Sequence, residues 1–243
     1  TPTLPRVRSS LSGSLLGRYL AEDVNSDLDS PPFTKSLRDG YAVRFHAENS
    51  LAPYRVTGEV AAGCSSSVSL KPGEAVRIFT GAIIPAGTDA VVMQEDCVRF
   101  QDQITVTKSI ALQQWILPQG AEYRSGQAVL PAKTKLRPVE IGLLASLGKS
   151  EVTIFSEPIV SVISTGNEIV EPSQIPEGSQ IRNSNGPMLM ALAQRSGGRS
   201  EYFGIVPDDR DLLKNRVNQA ISRSDVVIVS GGVSVGDHDH LPK

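Results

Sequence analysis

Residues 158–170, PIVSVISTGNEIV, set the near-continuous apolar run IVSVIS directly before a Ser-Thr-Gly-Asn-Glu turn. Such a run suits a strand covered on both faces. The downstream residues keep the same rhythm. NSNGPMLMALAQRSG (183–197) puts Met188, Leu189, Leu192 and Ala193 on one helical side, and SEYFGIV (200–206) returns to strand. DDRDLLKNRVNQAIS (208–222) spaces Leu213, Val217, Ala220 and Ile221 as a helix core, and DVVIVS (225–230) is a third strand. Apolar strands separated by amphipathic helices predict parallel pairing in a doubly wound α/β domain.

In an open α/β sheet, ligands sit beyond the carboxyl ends of the strands. Two of these strands end in matching loops, Ser164-Thr165-Gly166-Asn167-Glu168 and Ser230-Gly231-Gly232-Val233-Ser234-Val235-Gly236-Asp237. Glycines admit close backbone approach, hydroxyls donate hydrogen bonds, and open backbone N–H groups cradle oxyanions. The pair of loops therefore predicts a site for phosphate or another tetrahedral anion, and neither loop has the P-loop or dinucleotide spacing. Acids gather at the same end: Glu168, Asp208, Asp209, Asp237 and Asp239. Oxygen ligands beside a phosphate loop suit a hard cation such as Mg²⁺, whereas Asp208 or Asp209 reads first as the cap of the following helix. His238 and His240 lack a third soft ligand nearby and read as a solvated loop.

Upstream, YAVRF, YRVTGEV, AVRIFTG, DAVVMQ, CVRF and ITVTK alternate with Gly, Pro, Ser and Asp turns between Asp39 and Lys108, predicting a small β-rich module. PVEIGLLASLG (138–148), with Pro near its start and Gly148 as a stop, predicts a short helix. Leucines at 11, 15, 16 and 20 suggest a partial helical stripe over 6–24. PPFTKSLRDGYAV (31–43) and IFTGAIIPAGTDAVVMQED (78–96) are polar turns between strands whose chemistry alone assigns no ligand. Trp115 and the two cysteines, Cys64 and Cys97, read as packing groups.

The chain of 243 residues balances 24 Lys+Arg against 26 Asp+Glu, a formal net charge of −2, so a nucleic-acid binder held by phosphate contacts is not expected. Its 40% hydrophobic content is that of a globular protein, and no apolar run approaches the roughly 20 residues of a membrane span. Two cysteines make no disulfide framework, so a reduced, cytoplasmic setting is expected. A start at Thr1 and a stop just after a Gly-rich loop suggest a fragment.

LGRYLAEDV, PPFTKSLRDGYAV, RIFTGAIIPAGTDAVVMQED, STGNEIVEP, IRNSNGPML and SGGVSVGDHD occur in this order over nearly the whole chain. Together they resemble the molybdopterin molybdenumtransferase family, which includes the bacterial enzyme and the E domain of animal gephyrin. The resemblance implies an enzyme of molybdenum cofactor biosynthesis that inserts molybdate into adenylylated molybdopterin, releases AMP and uses Mg²⁺. It implies a homodimer built from a composite N-terminal domain (1–33 and 118–157), an inserted β-rich domain (34–117) and a truncated, Mog-like molybdopterin-binding α/β domain (158–243), with the family's terminal β-barrel absent. Carried over by motif, Asp39, Thr80 and Glu168 would be catalytic. Ser164, Thr165, Gly166, Asn167, Ser230, Gly231, Gly232, Ser234, Gly236 and Asp239 would hold the pterin nucleotide, and Glu168, Asp237 and Asp239 the metal. The family pattern has acids where this sequence has Asn167 and Asn183, and a base where it has Gly186. Those departures raise an alternative, a relative that binds molybdopterin or a partner without turnover.

Overall fold

The computed structural model describes residues 4–46, 52–64 and 68–231. The chain divides into two compact units, Val24–Leu130 and the combination of Thr1–Asp23 with Pro131–Lys243.

The first unit is organised by a six-stranded sheet with the spatial order Ala90–Met93, Gly40–Val43, Glu74–Ile78, Tyr54–Val60, Gln103–Val106, Cys97–Phe100. Only the Tyr54–Val60 and Glu74–Ile78 pair is parallel. Alternating side chains feed two apolar clusters. One holds Tyr41, Val43, Tyr54, Ala75, Val92 and Ile104, and the other Ala42, Val60, Val76, Ile78, Val91 and Ile116. Every residue of Gly40–Val43 is therefore buried. Gly40 has no substitute there, because a Cβ would stand 1.8 Å from the Val92 carbonyl oxygen. The strands expected from YAVRF through ITVTK are all present. Trp115 packs at the edge of the second cluster, in the packing role expected of it.

In the second unit, Arg6–Ser10 pairs antiparallel with Glu151–Phe155. The helical stripe expected over 6–24 does not form. Leu15 and Leu20 are fully buried, but Leu15 ends a single 3₁₀ turn, Gly13–Leu15, Leu20 lies beyond it, and Gly17 between them takes φ +80. The Leu20 N–H then bonds Thr134 O rather than a helical neighbour, so cross-chain pairing overrides the local leucine spacing. Helix α1, Pro138–Ser146, matches the expected cap logic: Glu140 accepts the Arg137 N–H at 3.0 Å and pairs with its guanidinium at 2.5 Å. The Arg137 side chain holds the pKa of the Glu140 carboxyl down to about 2.

The remainder of this unit is the α/β part. Arg199–Val206, Ile159–Thr165 and Val226–Ser230 lie side by side in that order, all parallel, as the alternation predicted. Helix α2 spans Asn185–Arg195 and helix α3 spans Arg210–Ile221. Helix α3 packs Leu213, Val217 and Ala220 on Ile163, Val227 and Val229. Leu189, Leu192 and Ala193 of α2 share a surface cavity with Val160, Val226 and Ile228, whose parity along the strands is opposite to that of the α3 contacts, so the two helices lie on opposite faces. The sheet order also makes Ile159–Thr165 the central strand, with its carboxyl end flanked on both sides. Among the described residues no helix is long and apolar enough to cross a membrane.

Candidate active site

The carboxyl ends of the central strand and its two neighbours bring Ser164, Thr165, Gly166, Asn167 and Glu168 together with Asp208 and with Ser230 and Gly231. Parallel register sets Ser164 beside Ser230 and Thr165 beside Val206. Two glycines shape the surface. A Cβ on Gly231 (φ +104) would stand 2.3 Å from the Thr165 carbonyl oxygen, and one on Gly166 (φ +143) would stand 2.5 Å from Glu168 Oε2. Both positions therefore demand glycine, because the space a side chain would take is filled by the Thr165 carbonyl at one and by the Glu168 carboxylate at the other.

Polar groups at this end fall into two sets. Ser164 and Asn183 are buried and bonded to each other: Ser164 Oγ donates to Asn183 Oδ1 (3.2 Å) and accepts from Asn183 Nδ2 (3.0 Å). The same amide donates to Tyr202 Oη at 2.7 Å and accepts the Gly186 N–H at 3.0 Å, which anchors the start of α2. Tyr202 Oη in turn donates to Glu171 Oε1 at 3.2 Å. Burial, with the Glu171 carboxylate close by, pushes the Tyr202 phenol above its usual range.

The second set is at the surface. Asn167 and Asp208 hold each other reciprocally, the Asn167 N–H donating to Asp208 Oδ2 and the Asp208 N–H to Asn167 Oδ1, both at 3.2 Å. Thr165 Oγ1 adds a 3.3 Å bond to Asp208 Oδ1. The two adjacent aspartates take different roles: Asp209 is the α3 cap, accepting the Asp211 and Leu212 N–H groups at 2.9 Å, whereas Asp208 braces the loop. Nothing in the sequence separates these neighbours, so the bracing role of Asp208 emerges only from the fold.

A hard cation needs carboxylate oxygens that are not otherwise engaged. Glu168 qualifies, since its carboxylate has no hydrogen-bond or ion-pair partner among the described residues. Asp208 is already used in the turn, each of its oxygens accepting one bond. Gly232, Ser234, Gly236, Asp237 and Asp239 lie outside the described residues, as does the His238–His240 pair. Among the described residues no three His, Cys, Asp or Glu side chains converge as a metal group.

In the other unit, Asp39 and Thr80 are in direct contact. Asp39 Oδ1 accepts both the backbone N–H and the hydroxyl of Thr80, each at 2.7 Å. These bonds, the backbone one foremost, hold the Asp39 carboxyl below its usual range, helped by the Arg77 charge. Arg77 itself is fixed by Gly40 O (3.3 Å) and Gln94 Oε1 (2.5 Å).

Two family models match the chain in succession. The family described as MoeA N-terminal region (domain I and II) matches residues 2–148, and a probable molybdopterin binding domain matches residues 161–243. The molybdopterin molybdenumtransferase of Nostoc sp. is 40% identical over 230 residues, covering 93% of this chain and 53% of that protein. The Staphylococcus aureus (strain MRSA252) protein of the same name is 38% identical over 247 residues, 99% of this chain and 58% of its own. The chain thus spans about half the length of these curated relatives. A crystal structure of the molybdopterin biosynthesis MoeA protein from Pyrococcus horikoshii OT3 superposes with a TM-score of 0.82 at 33% identity, covering 93% of this chain and 62% of the other. A second structure from that organism gives 0.77 at 34%, covering 95% and 60%. With more than half of its residues matched by one family, this chain belongs to the MoeA family.

Proposed function

We propose that the protein acts in molybdenum cofactor biosynthesis as a molybdopterin molybdenumtransferase, inserting molybdate into adenylylated molybdopterin with release of AMP. The observation that carries this reading is the strand-end surface, where the Gly166 and Gly231 turns end two paired parallel strands and Glu168 keeps an unengaged carboxylate. The Ser230 hydroxyl and the glycine-lined strand ends suit the phosphates of a pterin nucleotide. Glu168, joined by Asp237 and Asp239, would hold Mg²⁺, which supplies neutralisation of phosphate charge. Asp39, kept ionised by Thr80, would face the same substrate from the partner subunit of a homodimer. On this reading the protein contributes position and charge, with no covalent nucleophile. The three-part organisation (1–33 with 118–157, 34–117, and 158–243) and a cytoplasmic location belong to the same proposal.

The alternative of a binding relative without turnover draws on Asn167 and Asn183. Asn183 is turned into the fold and bonded to Ser164, Gly186 and Tyr202, so it answers a packing demand rather than standing as a failed metal ligand. The deciding experiment measures AMP released from adenylylated molybdopterin with Mg²⁺, with and without molybdate. Molybdate-dependent release that falls about 100-fold in Glu168→Gln supports the proposal. Pterin-nucleotide binding by calorimetry without molybdate-dependent AMP release would establish the alternative.

A further inference from the structure

The segment Ser36–Asp39 is tied down at each residue. Ser36 exchanges backbone bonds with Ala82 O (3.0 Å) and Gly81 N (2.8 Å), and the Leu37 N–H donates to Trp115 O at 2.9 Å. Ser36 Oγ donates to Arg38 O at 2.7 Å, and Asp39 is fastened to Thr80. This leaves the Arg38 guanidinium lying over the Trp115 ring, 4.6 Å from its centroid. Stacking uses the flat face of a guanidinium and leaves its five N–H groups in the plane for other partners.

Three arginines lie over aromatic rings, and they differ in what those N–H groups do. Arg77, over Tyr41 and Phe79, donates to Gly40 O and Gln94 Oε1. Arg223, over Phe203, pairs with Glu201. Arg38 has no hydrogen-bond or ion-pair partner for its guanidinium among the described residues, and even its neighbour Asp39 is turned to Thr80. An arginine held over an aromatic ring, with no partner for its donors among the described residues, offers a bidentate fork to an oxyanion.

We propose that Arg38, stacked on Trp115 and adjacent to the Asp39–Thr80 pair, is a binding residue for a tetrahedral oxyanion, either free molybdate or the phosphate of the nucleotide. The assignment of those two sources rests on the molybdenumtransferase reading above.

Trp115 is the sole tryptophan of the chain, so its emission reports directly on the group stacked over it. The test titrates the protein with sodium molybdate and, separately, with AMP, against sodium chloride of matched ionic strength. A saturable emission change beyond the chloride control is expected with at least one of them. Half-saturation should rise about tenfold or more in Arg38→Gln, and by less in Arg38→Lys, which keeps the charge but not the fork. A response to molybdate alone assigns the free oxyanion, and a response to AMP alone assigns the nucleotide phosphate. No saturable change, or an identical titration in Arg38→Gln with an unaltered circular-dichroism melt, overturns the proposal. AMP release in the same preparations keeps the two readings apart. Emission changes without molybdate-dependent AMP release would remove the enzymatic reading and leave the oxyanion site. Normal release in Arg38→Gln, with unchanged KM for both substrates, would remove the site and leave the enzyme.

Discussion

Asn183 and Gly186 are fitted to each other. Gly186 donates its N–H to Asn183 Oδ1 at 3.0 Å, and a Cβ on Gly186 would stand 2.7 Å from Asn183 Nδ2. The amide then sits where a side chain at position 186 would have to go. Asn183 and Gly186 are thus one structural feature.

A first prediction reverses a common expectation. Gly→Ala within a helix usually gains about 0.5–1 kcal/mol. Here Gly186→Ala should cost about 1–3 kcal/mol, because the added methyl displaces a buried amide with three partners. In an Asn183→Ala background the nearest obstruction is gone and only Ser164 Oγ, 3.1 Å from the added Cβ, must give way, so the same change should cost clearly less. Urea midpoints of the four proteins give the coupling, expected to be about 1 kcal/mol or more. Strict additivity would show that the two positions are independent.

A second prediction concerns acid stability. The folded Asp39 carboxyl titrates below its unfolded value of about 3.9. Its stabilisation is therefore complete above that value and is lost as pH falls through the depressed folded value. Thr80→Val removes the hydroxyl donor but keeps the backbone one, so the Asp39 carboxyl should move part of the way back up. Carboxyl-carbon NMR titration measures this directly, and Thr80→Ser should leave the titration near that of the parent. An unchanged Asp39 titration in Thr80→Val would mean that the hydroxyl contributes nothing to the lowered value.

These relationships show what a one-dimensional pattern carries. IVSVIS, the two amphipathic helices and the Gly-marked strand ends are local signals, and each element forms where its own residues put it. The leucines at 11, 15, 16 and 20 mislead because spacing records which residues are apolar, not which partner strand covers them. Burial of Leu15 and Leu20 comes from chain segments more than a hundred residues away. Likewise, the Asn183 hub requires Ser164 and Tyr202 from two different strands, and no window of sequence contains all three. Asp39 and Thr80 are recognisable only through motif resemblance, and their mutual hydrogen bonds come from the fold.

A third prediction separates the two strand-end glycines. At Gly231 the obstruction is the Thr165 carbonyl, a backbone atom within the sheet that cannot swing away. Gly231→Ala should lower stability by about 1–3 kcal/mol and weaken pterin-nucleotide binding together. At Gly166 the obstruction is the far end of the Glu168 side chain, which can move. Gly166→Ala should then raise the Mg²⁺ concentration needed for half-maximal AMP release several-fold, with the smaller loss of stability. Equal Mg²⁺ dependence in Gly166→Ala and the parent would detach Glu168 from the metal.

The last prediction divides adjacent aspartates by role. Asp209 accepts two N–H groups at the start of α3, and its carboxylate also faces the positive end of the helix. Asp209→Ala should therefore cost about 1 kcal/mol of stability while leaving AMP release close to that of the parent. Asp208 bonds Thr165 Oγ1 and both ends of its reciprocal contact with Asn167, at distances of 3.2–3.3 Å and in a setting open to solvent. Asp208→Ala should cost less in the melt but free the Thr165–Glu168 turn, lowering the AMP release rate about tenfold or more. Restoration of that rate by Asp208→Asn would show that the brace acts through hydrogen bonding to Asn167 or Thr165 and not through charge, since the amide keeps one of the two acceptor oxygens and loses the charge. If instead Asp208→Asn is as slow as Asp208→Ala while both melt like the parent, the charge of Asp208 is what matters. The carboxylate would then act on the ligand, and its bracing of the turn would be incidental.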